Sequence, residues 1–180
     1  MTYTPDQVKA SRDEARKLTA SLAAGQRPPA QMVPFRLGPG EVCYAQGQAQ
    51  IWQFLEGDGT YVHKGVAGFG IIGLALAAGT AAGNATRRAR AARRAAPRFR
   101  PVDEGTVYLT DKRYLFQGQM QWTDLWHQDI RVATCDGSSI TFELSGAPPM
   151  QLHVWPIDYY FAMFHFLAYN DIIQIPTDGE

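Results

Sequence analysis

The spacing of apolar residues changes several times along the chain, and each change marks an element. Residues 4–24 follow a helical period, with Val8, Ala15, Leu18 and Leu22 forming a thin apolar stripe on a polar segment. Thr4 is placed as its N-cap, Pro5 as its first helical residue and Gln7 as the partner in a capping box. Gly25 is a natural stop. So thin a stripe predicts a loosely packed helix. Residues 26–40 carry Pro28, Pro29, Pro34 and Pro39 and read as an extended linker. From Glu41 the period becomes two. EVCYAQGQ (41–48), IWQFLE (51–56) and TYVHK (60–64) are short β-prone runs broken by Gly and Asp-Gly. After an interruption at 65–100, the runs resume as TVYLT (106–110), RYLFQG (113–118), MQWTDLW (120–126), IRVATC (130–135), SITFELS (139–145) and MQLHVW (150–155). Asp136-Gly137 is a hairpin signal. Ile140, Phe142 and Leu144 share one face of their strand, and Met150, Leu152 and Val154 oppose Gln151, His153 and Trp155. Such alternation predicts antiparallel sheets wet on one face, with His153 in solvent. Trp122, Asp124 and Trp126 also share a face, and core packing is their expected role ahead of a binding platform.

At Pro156 the period returns to helical, over about 157–169, with Asn170 able to end the helix. Tyr160, Phe164 and Leu167 fall on one face, while Phe161, Met163 and Phe166 lie elsewhere on the wheel. A helix apolar around so much of its circumference needs more than one partner surface. Tyr160, Phe161 and Phe164 are therefore candidates for contact with a second copy or another protein.

The expected fold class is mainly β with helices (α+β): a small antiparallel barrel or sandwich capped by a C-terminal helix, with an N-terminal helix and a helical insert. GTVYLTDKRYLFQGQMQW (105–122) resembles a strand pair of the pleckstrin-homology-like superfamily, in particular its GRAM-type and bacterial members. Gly105, Thr110, Arg113, Phe116 and Gly118 fit that pattern. The resemblance covers roughly 41–64 and 101–170 and implies a non-catalytic binding or membrane-targeting module. The expected organisation is an N-terminal helix (1–25), a Pro-rich linker (26–40), a PH-like domain (41–170) and a tail (171–180). The domain is interrupted by an insert at 65–100, comprising an apolar helix (65–84) and an Arg-rich helix (85–96).

The insert carries the clearest functional signal. Residues 65–86 hold no charge over 22 positions, about the length needed to span a bilayer. Phe69, Ile71, Ile72, Leu74 and Leu76 lie in its first half, and Gly79 and Gly83 form a small-xxx-small pair suited to close helix packing. Arg87, Arg88, Arg90, Arg93 and Arg94 follow, then Arg98 and Arg100. An apolar run beside a dense cationic block predicts attachment to anionic lipids at the cytoplasmic face. Both parts of one domain must stay on one side, so the insert enters and returns, or lies in the interface; a single-pass anchor would need the early strands to be independent. The alternative is a soluble scaffold with the insert packed on the aromatic helix or on a second copy. Binding of nucleic acid by the Arg block is a lesser reading, since the block lacks interleaved aromatics and the rest of the chain is acidic. Gly68–Gly73 matches G-x-G-x-x-G, but the antiparallel context and the absence of an acid about 20 residues on exclude a dinucleotide fold.

Charge sharpens this reading. The 180 residues have a formal net charge of +0. Residues 1–100 hold 14 basic and 6 acidic side chains (+8), whereas residues 101–180 hold 3 and 11 (−8). The N-terminus lacks the hydrophobic run of a secretory signal, and two cysteines, Cys43 and Cys135, suit reduced thiols; a cytoplasmic protein, peripheral to or embedded in the inner membrane face, is expected. His63, His127, His153 and His165 show no ligand spacing, and no nucleophile motif or paired-carboxylate arrangement appears. No enzyme activity, metal or cofactor is expected.

Overall fold

A computed structural model describes residues 3–55 and 96–177. Seven strands form one antiparallel sheet in the order β4-β3-β2-β1-β7-β6-β5, curled into a half-barrel. The strands are β1 (Cys43–Leu55), β2 (Arg98–Thr110), β3 (Arg113–Gly118), β4 (Trp122–Trp126), β5 (Ile130–Cys135), β6 (Ile140–Leu144) and β7 (Met150–Val154). A short 3-10 turn, His127–Asp129, joins β4 to β5. Two helices, α1 (Pro5–Ala23) and α2 (Ile157–Tyr169), flank the sheet sequence.

The first two runs expected from sequence are one strand. β1 has 13 residues and pairs with β2 along its whole length, from Cys43↔Thr110 to Leu55↔Arg98. A bulge where Ile51 faces Asp103 and Trp52 faces Pro101 takes up Val102, placing the proline where the ladder is already broken. Over Ala49–Gln53 the other edge of β1 pairs with β7. TYVHK and both expected insert helices lie outside the described residues. β2 begins at Arg98, eight residues before the expected start, because β1 supplies a partner for the polar stretch Arg98–Gly105. Met120 and Gln121 belong to the β3–β4 turn rather than to β4.

α2 fills the concave side of the sheet. Ile157, Tyr160, Met163 and Phe164 are buried with Val107, Leu109, Tyr114, Phe142 and Val154. The Tyr114 hydroxyl donates to the Tyr160 carbonyl at 3.1 Å. Phe164 packs its ring 5.6 Å from Tyr114 and 5.9 Å from Phe142. Tyr160 and Phe164 are therefore core residues, and the expectation that they meet a partner is corrected: the curled sheet takes them. Phe161 is half-buried.

α1 supplies the second surface that α2 requires. It packs on α2, burying Ser11, Ala15, Leu18 and Leu22, and the Ser11 hydroxyl accepts the Asp158 N–H at 2.9 Å. The thin stripe thus packs tightly rather than loosely, because small Ala15 and Ser11 let two helices approach closely. Its ends follow the sequence. The Thr4–Gln7 capping box is complete, Gly25 takes a positive φ of 74°, and Asn170 ends α2 in the left-handed region at φ 54°.

The linker is extended and docked. Val33, Phe35 and Leu37 alternate inward onto Cys43, Tyr108 and Leu115 on the other face of the sheet. His153 is buried against Trp52, ring centres 4.9 Å apart, rather than solvated. The expectation for β4 is reversed as well: Trp122 and Trp126 face outward, with Leu125 pointing into the core.

Replacing Phe164 by Ala should destabilise the domain by about 3–5 kcal/mol, whereas Phe161→Ala should cost clearly less. Urea denaturation of the two variants checks the ordering, and equal losses would contradict the assigned burial.

Candidate functional site

Two regions concentrate the chemistry suggested by the sequence: the strand pair carrying the resemblance, and the place where the insert leaves the sheet. All five residues of the resembling pattern have structural work. Gly105 and Gly118 face each other across β2 and β3. A Cβ on Gly105 would collide with the Gln117 backbone, and one on Gly118 with the Asp103 carboxylate. That carboxylate accepts the N–H groups of Gln119 and Met120 at 3.1 and 3.2 Å, organising the β3–β4 turn. Phe116 is in the core.

Thr110 and Arg113 build a knot around Glu41, whose side chain is 1% exposed. Arg113 donates through Nε to Oε1 at 2.9 Å and through Nη2 to Oε2 at 3.1 Å. The Thr110 hydroxyl donates to Oε1 at 2.8 Å and accepts the Arg113 N–H at 3.0 Å. The Gly38 N–H reaches Oε2 at 2.8 Å. Burial alone would raise the Glu41 carboxyl pKa, but these hydrogen bonds and the Arg113 charge outweigh it and hold the pKa below its ordinary value. Arg113 also pairs with Asp124 at 3.1 Å and stacks on Trp126, 4.6 Å from the ring centre. The linker, the β2–β3 turn and β4 are thereby tied at one point. Every donor of Arg113 named here faces the protein itself, so this pattern shapes the fold rather than presenting a ligand cradle.

The second region is the root of the insert. Leu55 pairs with Arg98, the end of the β1–β2 ladder, so the intervening chain leaves and rejoins the sheet at one corner. Phe54 and Phe99 face each other there, edge to face at 5.3 Å, with Phe54 40% exposed and Arg98 in solvent. Phe69, Ile71, Ile72, Leu74, Leu76, Gly79, Gly83, Arg87, Arg88, Arg90, Arg93 and Arg94 all lie outside the described residues. Among the described residues, no helix is long and apolar enough to cross a membrane.

His127 is a residue whose setting the sequence did not reveal. It is 9% exposed, and neither ring nitrogen has a hydrogen-bond partner among the described residues. The Phe164 and Tyr114 rings stand 5.2 and 6.1 Å away. Burial pushes its pKa down to about 4, against weaker opposing pulls from Asp111 and Glu41. Cys43 is buried and its thiol is pushed up to about 11 by desolvation; Cys135 is half-buried and reaches about 12 for the same reason. Neither is an activated nucleophile. Among the described residues, no three His, Cys, Asp or Glu side chains converge to hold a metal.

Compared with known proteins, the chain matches no family model, no curated sequence and no solved structure.

Arg113→Ala should cost about 3–5 kcal/mol, because it strands a buried carboxylate. Asp124→Asn, at an exposed partner, should cost at most about 1 kcal/mol. Chemical denaturation checks both. The pH dependence follows from His127. In the unfolded chain the imidazole takes its proton near 6.5, whereas in the fold it resists until about 4. Its contribution is therefore fully present above about pH 6.5 and is lost as pH falls toward 4, by up to about 3 kcal/mol. Denaturation midpoints between pH 7.5 and 4 should fall less steeply in His127→Phe; an unchanged slope would contradict the assignment.

Proposed function

We propose that the chain is a non-catalytic binding module of pleckstrin-homology-like architecture that docks on the cytoplasmic membrane face through the segment between β1 and β2. The strand count, the curled antiparallel sheet and the C-terminal helix in its concave side support that architecture. The observation carrying the membrane reading is the Leu55↔Arg98 pair. It gathers 22 uncharged residues and the arginines after them into one excursion from a single corner of the sheet. A single crossing would place Leu55 and Arg98 on opposite sides of a bilayer, which their pairing forbids. The excursion therefore dips and returns, or lies in the interface. Apolar side chains would enter the acyl boundary while the arginines meet anionic headgroups, each worth about 1 kcal/mol. Phe54, Phe99 and Arg98 extend the same chemistry onto the described domain. The scaffold reading loses its main motive, since the sheet and α1 already cover much of the aromatic helix α2.

Co-sedimentation with vesicles tests the proposal. The full chain should pellet with phosphatidylglycerol-containing vesicles but not with pure phosphatidylcholine, and added salt should release it. Arg87, Arg88 and Arg90 replaced together by Ala should weaken binding by roughly two orders of magnitude, and Ile72→Asp should weaken it independently of salt. A chain that stays in the supernatant at every anionic content would overturn the proposal.

A further inference from the structure

At the other end of β2 from the insert root lies a cleft of about 480 Å³, within the size range of small-ligand pockets. Three elements far apart in sequence build it. The β2–β3 turn contributes Asp111 and Lys112, the end of β4 and the 3-10 turn contribute Trp126 and His127, and the last turn of α2 contributes Leu167 and Tyr169.

Each part has a chemical consequence. His127, nine-tenths buried, lines the cleft through its ring, with both ring nitrogens shielded from it. Asp111 and Lys112 are adjacent, so one rim offers a carboxylate and an ammonium together. The Asp111 carboxylate is fixed by the Val42 N–H at 2.9 Å. The Lys112 ammonium donates to the Pro39 carbonyl at 2.8 Å and keeps two further N–H groups. A ligand with a net charge would gain from one of these and lose to the other. A molecule carrying both charges, spaced as in an amino acid, gains from both. Apart from Gln128, the remaining walls are largely apolar, with Leu167, the Trp126 ring at 36% exposure and the Tyr169 ring at 47%.

We propose that this cleft binds a small zwitterion with an aromatic or branched apolar side chain, of the size of an amino acid or dipeptide. Its carboxylate meets Lys112, its ammonium meets Asp111, and its side chain lies against Trp126, Leu167 and Tyr169. The cleft lies at the end of β2 opposite Leu55↔Arg98, the root of the membrane-docking segment, so occupancy and vesicle binding are read separately.

The test is a titration of the full chain followed by NMR, reading the Trp126 indole N–H and the His127 ring. The probes are L-phenylalanine, L-leucine and the dipeptide phenylalanylglycine, with phenethylamine and 3-phenylpropionate as single-charge controls. Saturable shifts with the zwitterions and about tenfold weaker binding of both controls are expected. The free amino acids against the dipeptide set the preferred size. Lys112→Gln and Asp111→Asn should each weaken binding about tenfold; the first residue is exposed and the second substitution keeps an acceptor for Val42, so both variants should fold. The proposal is overturned if no probe gives saturable shifts at millimolar concentration. Controls that bind as tightly as the zwitterions, or variants that leave affinity unchanged, would overturn it equally.

Discussion

β1 holds a hydrogen-bond ladder on each edge, and the rest of the molecule follows from that. Over Ala49–Gln53 it pairs with β2 on one side and β7 on the other. The strands before and after the insert are thereby made into one sheet, and the early and late parts of the chain cannot separate without breaking both ladders. The curl of that sheet creates the concavity that α2 fills, and α2 in turn gives α1 a surface. The bulge at Ile51/Trp52 lets β1 and β2 stay paired past Pro101 as far as Leu55↔Arg98. This one register pair brings the two ends of the insert together at one corner of the sheet.

The sheet then needs stitching where its loops meet solvent, and charge does this at the opposite end of β2. Glu41 and Arg113 are 72 positions apart in sequence yet form a bidentate pair with little exposure. A buried ion pair is weak as a net source of stability. Its consequence here is geometric, since it fixes the linker entry, the β2–β3 turn and, through Asp124 and Trp126, strand β4. The same turn presents Asp111 and Lys112 to the neighbouring cleft. The two ends of β2 thus have different characters: one is an apolar and cationic root, the other a charge-balanced turn beside a dry imidazole.

Local rules were legible in the residues themselves. The Thr4–Gln7 box, the positive φ at Gly25 and Asn170, the Asp136-Gly137 turn and the bounds of β3, β5 and α2 all depend on neighbours within a few positions. The charge split between the two halves was legible too. What failed were statements about which face of an element is covered. His153 sits on the polar side of an alternating strand, yet Trp52 from β1 lies against it. Trp122 and Trp126 alternate like core residues, yet β4 is an edge strand and turns them outward. The thin stripe of α1 implied weak packing, yet Ser11, Ala15, Leu18 and Leu22 are all buried where α1 packs on α2.

The sequence by itself therefore determined α1, α2, β3 and β5, the caps of the two helices, the uncharged run and the arginines beside it, because each is set by covalent neighbours and periodicity. Only the tertiary structure decided that Tyr160 and Phe164 belong to the core, that the Pro-rich linker covers one face of the sheet through Val33, Phe35 and Leu37, and that His127 ends buried beside a cleft. The physical reason is the same in each case. Burial is a property of what packs against a residue, and in this chain the packing partners arrive from dozens of positions away.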